Sequence, residues 1–305
     1  MPPPDEPWRR IAAAQDGVLT VGQATHAGLS RAAIDVRLRR GEWRHVLRGT
    51  YLIDADLLPE PPHRARARAA TLAVPGGVLC GVSAAALLGL RGAERDRASV
   101  EITVPSGHRV RPQRGLALRQ VTVPAARVVM VHGMRVTSPL WTVGDLLLRL
   151  GRMEAVGVLD AALHDGSVRR ADLDELDLLI ARRRGAVAAR RRIEECDGRA
   201  ESPLETRVRL ICRDGGVPPD ALQQQVLDRW GNVLGYGDLA WTYGRLIAET
   251  DGRAAHDSLP AAYRDRHRAN DFRTAGWTIV RFTWADTAHP GYIVSVVRRA
   301  LTAAA

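Results

Sequence analysis

The stretch GDLAWTYGRLIAETDG, residues 237–252, decides the fold of the last third of the chain. It holds two runs of apolar or β-branched residues, 239–242 and 246–250, on either side of Tyr243 and Gly244. Runs of this composition around a short glycine-containing segment are typical of a β-hairpin, and a two-residue turn at Tyr243-Gly244 is the simplest connection. The sequence therefore predicts two antiparallel strands here.

The predicted hairpin brings acidic side chains together. If Thr242 pairs with Arg245, Asp238 lies opposite Glu249, with the two Cβ atoms about 5 Å apart. Asp251 points to the same side as Glu249 because strand side chains alternate. Opposed like charges destabilise the pair, so a cation such as Mg²⁺ or Mn²⁺ is expected, and such an ion polarises phosphoryl oxygens and activates water. The alternative is a solvated face whose acids pair with arginines.

Four segments in this region carry a family resemblance. They are a helix start, SPLE at 202–205, the hairpin itself, a helix with DRHRAN at 265–270, and a strand with GWTIVRFT at 276–283. In this order they resemble an endonuclease-like domain of unknown function found in many actinobacterial proteins, which is related to the very-short-patch repair endonucleases of the PD-(D/E)XK superfamily. The resemblance covers roughly residues 201–301. It implies a restriction-endonuclease-like α/β domain that hydrolyses phosphodiester bonds.

The resemblance also implies roles for individual acids. Asp238 and Glu249 would be the ligands of Mg²⁺ or Mn²⁺, and Asp251 a further acidic residue of the catalytic site. Glu205 has two candidate roles. It either joins this site or closes a capping box with Ser202 at the start of a helix, and the sequence leaves both open.

One departure from the superfamily bears on the mechanism. All 44 Lys+Arg residues are arginine, so the lysine of the superfamily name is absent, and Asp251 stands in its position. Arginine stays protonated and cannot act as a base. His256 is the nearest candidate for proton transfer, with a surface role as its alternative. Arg266 and Arg268 match the helix of the family pattern and would either hold a phosphate or pair with the acidic hairpin.

The first sixty residues predict a winged helix-turn-helix. Thr20 to Gln23 form a capping box that opens one helix, Gly28 permits a tight turn, and Ser30 caps a second helix over residues 31–40. Two short strands around Arg48 would form the wing. The segment resembles the N-terminal domain of the AbiEi family of antitoxins.

The resemblance to a DNA-binding motif assigns a role to the second helix. In that motif the helix after the turn enters the major groove. Its arginines would then face phosphates or base edges; they are Arg31, Arg37, Arg39 and Arg40. The alternative is a protein-docking module with a solvated arginine face.

The middle of the chain shows no catalytic constellation. Consecutive prolines at 59–62 mark a boundary, and residues 76–90 are similar to the middle segment of the antitoxin-like proteins, which carry a Ser-His pair where this chain has Cys80 and Gly81. The acid at Asp160 and its neighbours His164 and Asp165 are interpreted as capping and solvating a helix end. Two arginine triplets, 182–184 and 190–192, either neutralise phosphates or form a solvated helix face.

Composition sets the class of protein. A chain of 305 residues with a net charge of +10 and a pI of about 10.7 is expected to hold several domains and to bind polyanions. Three widely spaced cysteines and no apolar run long enough to span a bilayer fit a cytoplasmic protein without membrane contacts.

The prediction is an α/β multidomain protein. Its parts are a winged helix-turn-helix at 1–60, an antitoxin-like α/β connecting domain at 61–198 and an endonuclease-like domain at 199–305. Its expected partners are DNA and either a cognate toxin or a second copy of the chain. The two functions left open are a metal-dependent endonuclease and a non-catalytic, antitoxin-like regulator with a degenerate nuclease scaffold.

Overall fold

The computed structural model describes residues 6–93, 99–251 and 259–303, with side chains in the last range described from residue 267 onward. The chain divides into two compact units, Met1–Gly89 with Ala93–Asp145, and Leu90–Gly92 with Leu146–Ala305. The boundary predicted after residue 60 lies inside the first unit, and the boundary predicted after residue 198 lies inside the second. Three separate sheets combine with many helices, so the predicted mixed α/β, multidomain class is confirmed. No described helix is long and apolar enough to cross a membrane.

The first unit begins with helices and a small antiparallel sheet of order β1-β3-β2. The helices are α1 (Pro7–Ala13), α2 (Val21–His26) and α3 (Arg31–Arg39), and the strands are β1 (Val18–Thr20), β2 (Arg44–Leu47) and β3 (Thr50–Leu52). The predicted caps are confirmed. Thr20 and Gln23 form the reciprocal capping box, and Ser30 Oγ accepts a hydrogen bond of 3.1 Å from the backbone N–H of Ala33. Gly28 has φ +92°, a conformation that favours glycine. Strand β1 was not predicted.

The rest of the first unit packs around one helix and a five-stranded sheet of order β6-β5-β4-β8-β7. Its elements are α4 (His63–Ala73), α5 (Gly81–Leu88), β4 (Val78–Leu79), β5 (Val100–Val104), β6 (Leu116–Gln120), β7 (Val128–Val131) and β8 (Met134–Thr137), followed by α6 (Pro139–Arg149), which crosses the division between the units. Alanines of α4 such as Ala67 and Ala69 are buried between the helix and the two sheets. They belong to one hydrophobic core with Leu52 of β3 and Ile102 of β5. Small side chains let the helix approach both sheets closely.

The second unit combines a helical part with a four-stranded sheet of order β12-β11-β10-β9. Its elements are α7 (Arg152–His164), α8 (Leu173–Ile180), α9 (Ala186–Glu194), α10 (Pro203–Asp214), β9 (Ala221–Leu227), β10 (Val233–Trp241), β11 (Leu246–Asp251), α11 (Leu259–Thr274), β12 (Thr278–Thr283) and α12 (Pro290–Ala303). Strands β9, β10 and β11 are antiparallel, whereas β12 runs parallel to β11 after the crossover through α11. One face of the sheet packs on α10 and α12, and the other on Phe272 of α11.

The predicted register of the β10–β11 hairpin is confirmed. Leu239 pairs with Ala248 and Trp241 pairs with Leu246, and the same register places Asp238 opposite Glu249. The predicted two-residue turn is wrong. Pairing ends at Trp241, the turn Thr242–Gly244 is a 3-10 helix, and Arg245 takes the left-handed conformation with φ +44°. The Arg245 guanidinium donates a hydrogen bond of 2.9 Å to the carbonyl of Ala275, which fixes the longer turn against the end of α11.

Gly237 tests the packing that positions Asp238. A Cβ atom at Gly237 would lie 2.7 Å from Cγ2 of Ile247, whose side chain is fully buried. We expect Gly237→Ala to lower the free energy of unfolding by about 1–3 kcal/mol, the usual cost of overpacking a core. Gly291→Ala is the matched control, because no atom lies within 4 Å of its added Cβ. Equal stabilities of the two variants in urea unfolding would contradict the close packing of β10 on β11.

Candidate functional site

The start of α10 places Glu205 at the edge of the sheet. Ser202 is the N-cap and its Oγ accepts a hydrogen bond of 3.2 Å from the Glu205 N–H, so the predicted N-cap is confirmed. The predicted capping box is wrong, because the Glu205 carboxylate bonds to the N–H of Glu201 and not to that of Ser202. The Glu205 carboxylate folds back as well. Its Oε2 accepts hydrogen bonds from the Glu201 N–H at 2.8 Å and from Gln223 Nε2 at 3.1 Å. The side chain thus stabilises the helix start and also reaches strand β9.

Asp238 lies on β10 and is held by the neighbouring strand. Its Oδ2 accepts two hydrogen bonds from Thr250, one from the backbone N–H and one from Oγ1, each 2.8 Å long. Burial raises the pKa of the Asp238 carboxyl, while the Thr250 hydrogen bonds and the charge of Arg268 act in the opposite direction. Within the part of the chain that the structure describes, no hydrogen bond reaches Oδ1.

The two acids share one environment. Glu205 is 4% exposed, and burial raises its pKa to about 7, with the charge of Asp238 as the second cause. Hydrogen bonds from Glu201, Ser202 and Gln223 act in the opposite direction and lower the pKa of Glu205. Both bonds to Asp238 from described residues reach Oδ2, so Oδ1 of Asp238 keeps no hydrogen bond from them. Paired acids with displaced pKa values are common at functional sites.

A cleft opens beside these acids. Its volume is about 450 Å³, and Asp238 and Arg268 both line it. The other lining residues are Glu201, Gln223, Gly235 and Tyr236. None of Gln223, Glu201 and Tyr236 was predicted as a site residue, because their place at the cleft depends on how β9 meets α10, and no local pattern in the sequence gives that contact.

The negative charge of Glu249 is balanced by two arginines of the same chain. Its Oε1 lies 3.2 Å from Arg268 Nη2 and its Oε2 lies 3.1 Å from Arg281 Nη2, and the side chain is buried. Arg281 reaches it because β12 pairs Arg281 with Glu249 in parallel register. The alternative expected for this hairpin, acids paired with arginines, is therefore the arrangement found at Glu249. The predicted cation between Asp238 and Glu249 is not needed to offset their repulsion.

Three further residues were predicted for the site, and the structure describes the side chain of one of them. Asp251 is exposed at the end of β11. His256 lies outside the described residues. The backbone of Arg266 lies in α11, but its side chain is outside them. Across the described ranges, no group of three or more His, Cys, Asp or Glu residues is arranged to hold a metal ion.

Helix α3 presents its arginines in two ways. Arg31 and Arg39 are exposed, and neither forms an ion pair with a described residue. Arg37 instead donates a hydrogen bond of 3.2 Å to the Ala33 carbonyl and lies 5.3 Å from the ring centroid of Trp8, so it packs against its own domain. Arg40 lies 3.7 Å from the Glu42 carboxylate and is also exposed.

Asp160 departs from its predicted role as a solvated capping residue. Its side chain is fully buried and accepts three hydrogen bonds, from Thr206 Oγ1 at 2.7 Å, Arg209 Nη2 at 2.9 Å and the Asp197 N–H at 2.6 Å. Burial raises the pKa of this carboxyl, and the charge of Arg209 opposes that rise. No local pattern indicates this role, because the hydrogen-bond partners of Asp160 lie 37 or more residues away along the chain. Asp160 ties α7 to α10.

Comparison with known proteins identifies relatives of the whole chain. The uncharacterized proteins MT2308 and Rv2248 of Mycobacterium tuberculosis are each 32% identical to it over 275 residues, which is 90% of this chain and 97% of theirs. The chain belongs to their family. Residues 77–195 match the AbiEi antitoxin C-terminal domain. The crystal structure of the RV2827C protein from the same organism covers 62% of this chain and 82% of its own, with 16% identity and a TM-score of 0.38, which is too low to support an argument.

These relatives refine the two family resemblances. The likeness to AbiEi antitoxins predicted for the connecting domain at 61–198 is supported, because residues 77–195 match the C-terminal domain of that family. The match does not include the N-terminal segment, where the resemblance stays a prediction. The matched range includes Cys80, which is buried, and Gly81, where a Ser-His pair was expected. The endonuclease-like resemblance falls beyond the matched range, and the comparisons do not support it.

Glu205 makes stability depend on pH. The folded state raises its pKa from 4.5 to about 7, so the folded chain keeps a proton that the unfolded chain releases, and stability falls as pH rises through this window. We expect the free energy of unfolding of Glu205→Gln, relative to that of the wild type, to rise by at most about 3 kcal/mol between about pH 5 and pH 8. Urea unfolding at the two pH values measures it.

Glu194→Gln is the matched control for this titration, because Glu194 is exposed on α9. It should keep the pH dependence of the wild type. If Glu205→Gln also follows the wild type at both pH values, Glu205 does not share a buried environment with Asp238.

Proposed function

We propose that this chain is a DNA-binding regulator of the AbiEi antitoxin type, and that α3 is the element that contacts duplex DNA. Helix α2, the turn at Gly28, helix α3 and the β2–β3 hairpin follow one another in the order of a winged helix-turn-helix. In that motif the second helix enters the major groove while the wing and flanking residues touch the backbone. Arg48 is exposed at the tip of the hairpin, where a wing meets phosphates.

The exposed arginines of α3 carry this proposal. Ile34 is buried in the core with Trp8 and Trp43, so α3 packs on its own segment through that side chain. Arg31 and Arg39 are exposed near the two ends of the helix, about 12 Å apart along its axis at 1.5 Å per residue. Arginines without a carboxylate partner suit phosphates and guanine edges. Asp35 is also exposed on this helix, and a carboxylate there can accept a hydrogen bond from a cytosine amino group.

The family match and the charge support the same function. A net charge of +10 favours a polyanion as partner through counterion release. The match of residues 77–195 to an antitoxin domain makes a cognate toxin or a second copy of the chain the expected protein partner. We also propose the three-part organisation, with residues 1–60 as the DNA-binding part, because that segment has a core of its own around Trp8 and Trp43.

DNA binding by α3 predicts a defined loss in a double variant. Arg31→Ala/Arg39→Ala in the full chain should weaken binding to duplex DNA by about ten-fold or more, because two phosphate or base contacts disappear. The slope of log affinity against log salt should fall by about 2. Fluorescence anisotropy over a salt series measures both quantities.

The matched control removes the same charge elsewhere. Arg182 and Arg184 are exposed between α8 and α9, so Arg182→Ala/Arg184→Ala changes the net charge equally. If both double variants weaken duplex binding to the same extent, the attraction is nonspecific and α3 is not the reading helix. If neither weakens it, the winged helix is a protein-docking module.

Metal-dependent phosphodiester hydrolysis is the second candidate, and the shared environment of Glu205 and Asp238 favours it. The element order α10, β9, β10, β11, α11, β12 is the order expected from the endonuclease-like resemblance. Mg²⁺ is commonly bound through one or two carboxylates with waters completing the shell, so these two acids fit such an ion. Glu249 fits less well, since Arg268 and Arg281 face both of its oxygens.

The residues around the cleft would have separate roles in this reaction. Mg²⁺ or Mn²⁺ would polarise the phosphoryl oxygens and activate water. Arg268 lines the cleft and stands where it can hold a phosphate, while Gln223 keeps the Glu205 carboxylate oriented. Because the chain has no lysine and Glu205 would be a ligand of the ion, proton transfer would fall to His256.

The metal response separates this candidate from its alternative. If Asp238 is a ligand, Mn²⁺ should raise the melting temperature of the full chain, and Asp238→Asn should abolish that rise. Glu249→Gln should lower stability by breaking its arginine pairs yet keep the metal response. Nicking of supercoiled plasmid should disappear in Asp238→Asn. If Mn²⁺ changes neither melting nor plasmid nicking, the endonuclease candidate fails and the regulator proposal is unaffected.

A further inference from the structure

The tip of the β9–β10 hairpin exposes a tryptophan on a tightly held turn. Trp230 is 71% exposed. The turn that carries it is organised by Asp228, whose Oδ1 accepts hydrogen bonds of 2.8 Å from the N–H groups of Trp230 and Asn232. The Asn232 side chain adds a third bond of 2.8 Å to Oδ2, and Gly231 takes φ +87°. The ring is therefore presented from a fixed backbone.

A cation is already stacked on this ring. The Arg229 guanidinium carbon lies 4.0 Å from the ring centroid of Trp230, within the range of a cation–π contact. Arg229 forms no ion pair with a described residue. Its positive charge is therefore exposed beside an aromatic face. A cation and an aromatic ring in this arrangement can bind a nucleotide through its phosphate and its base.

The hairpin continues this surface toward the cleft. Tyr236 is 50% exposed on β10 and lines the cleft together with Arg268. The strand from Val233 to Tyr236 is about 10 Å long at 3.3 Å per residue. Gln225 lies opposite Tyr236 on β9 and is exposed, so an amide with donor and acceptor groups stands beside the aromatic ring. Amide side chains of this kind hydrogen-bond base edges.

We propose that the hairpin bearing Trp230 and Tyr236 is a binding surface for single-stranded nucleic acid, on which unpaired bases stack while Arg229 and Arg268 contact the backbone phosphates. Single strands are favoured over duplex because stacking on a side chain requires a base whose face is not covered by its neighbours. Gln225 and Arg229 supply the base-edge and phosphate contacts that a strand of nucleic acid requires. Protein interfaces also favour Trp, Tyr and Arg, so a contact with a second copy of the chain is one of the outcomes of the test. This site lies in the second unit and is independent of the contact that α3 makes with duplex DNA.

The stacking contribution gives the expected size of the effect. Trp230→Ala in the full chain should weaken binding of a fluorescent single-stranded oligonucleotide of about 20 nucleotides by about 5- to 100-fold, the range for loss of one stacked base. Trp230→Phe should retain most of the affinity because it keeps an aromatic face. Tyr236→Ala should weaken binding by a smaller factor, and its effect should add to that of Trp230→Ala only in part, because both rings hold one strand.

Tyr243 supplies the matched control. It is 74% exposed in the turn between β10 and β11, at the other end of β10 from Trp230, and Tyr243→Ala should leave single-strand binding unchanged. Each variant is also titrated with duplex DNA. Trp230→Ala should leave duplex affinity intact, and Arg31→Ala/Arg39→Ala should lower duplex affinity while leaving single-strand affinity within about two-fold.

Several outcomes would overturn the proposal. It fails if the wild type binds neither the oligodeoxythymidine nor the oligouridine probe, or if Trp230→Ala and Tyr243→Ala bind them equally well. It also fails if Trp230→Ala changes the sedimentation of the chain and not its oligonucleotide affinity, because the ring is then a contact between copies. A preference for one of the two probes supports the site and identifies its natural strand as DNA or RNA.

Discussion

The opposition of Asp238 and Glu249 across β10 and β11 is the constraint on which the second unit depends. The register that buries Leu239 and Trp241 on one face of the sheet puts Asp238 and Glu249 on the other face, one residue beyond the last pair of the ladder, Leu239 and Ala248. Like charges opposite each other on neighbouring strands destabilise the strand pair. The protein offsets the repulsion with different partners for each acid, Thr250 for Asp238 and two arginines for Glu249. Because those arginines lie in α11 and β12, the ion pairs of Glu249 connect the hairpin to the crossover helix and to the last strand.

Two buried acids of this unit differ in the partners of their carboxylates, and the difference indicates which of them has a structural role. Asp160 accepts three hydrogen bonds, one of them from Arg209, and so joins α7 to α10 as a structural group. Glu205 is buried as well, but no described arginine pairs with it, and burial and the charge of Asp238 raise its pKa to about 7. Carboxyls with such displaced pKa values cluster at functional sites. The second proposed function therefore involves Glu205 and the cleft that Asp238 lines.

Local signals in the sequence were sufficient where the partner lies within a few residues. The capping box at Thr20, the cap at Ser30 and the hairpin register all follow from such neighbours. Side-chain partners from other elements could not be predicted, since spacing does not tell which arginine reaches Glu249 or that Arg209 reaches Asp160. The length of the turn after Trp241 was predicted wrongly, because Arg245 adopts a left-handed conformation that its hydrogen bond to the Ala275 carbonyl stabilises. The AbiEi likeness could be predicted from residues 76–90 of the connecting domain, and the match at 77–195 extends over both compact units.

Amide hydrogen exchange of the full chain, with and without duplex DNA, tests the central claim of a DNA-binding regulator most directly. It reports on every element at once and requires no substitution. The account predicts slower exchange on DNA binding in α3 and in the β2–β3 hairpin, with α7 and α10 unchanged. Protection confined to the second unit, with α3 exchanging at the same rate in both states, would contradict it.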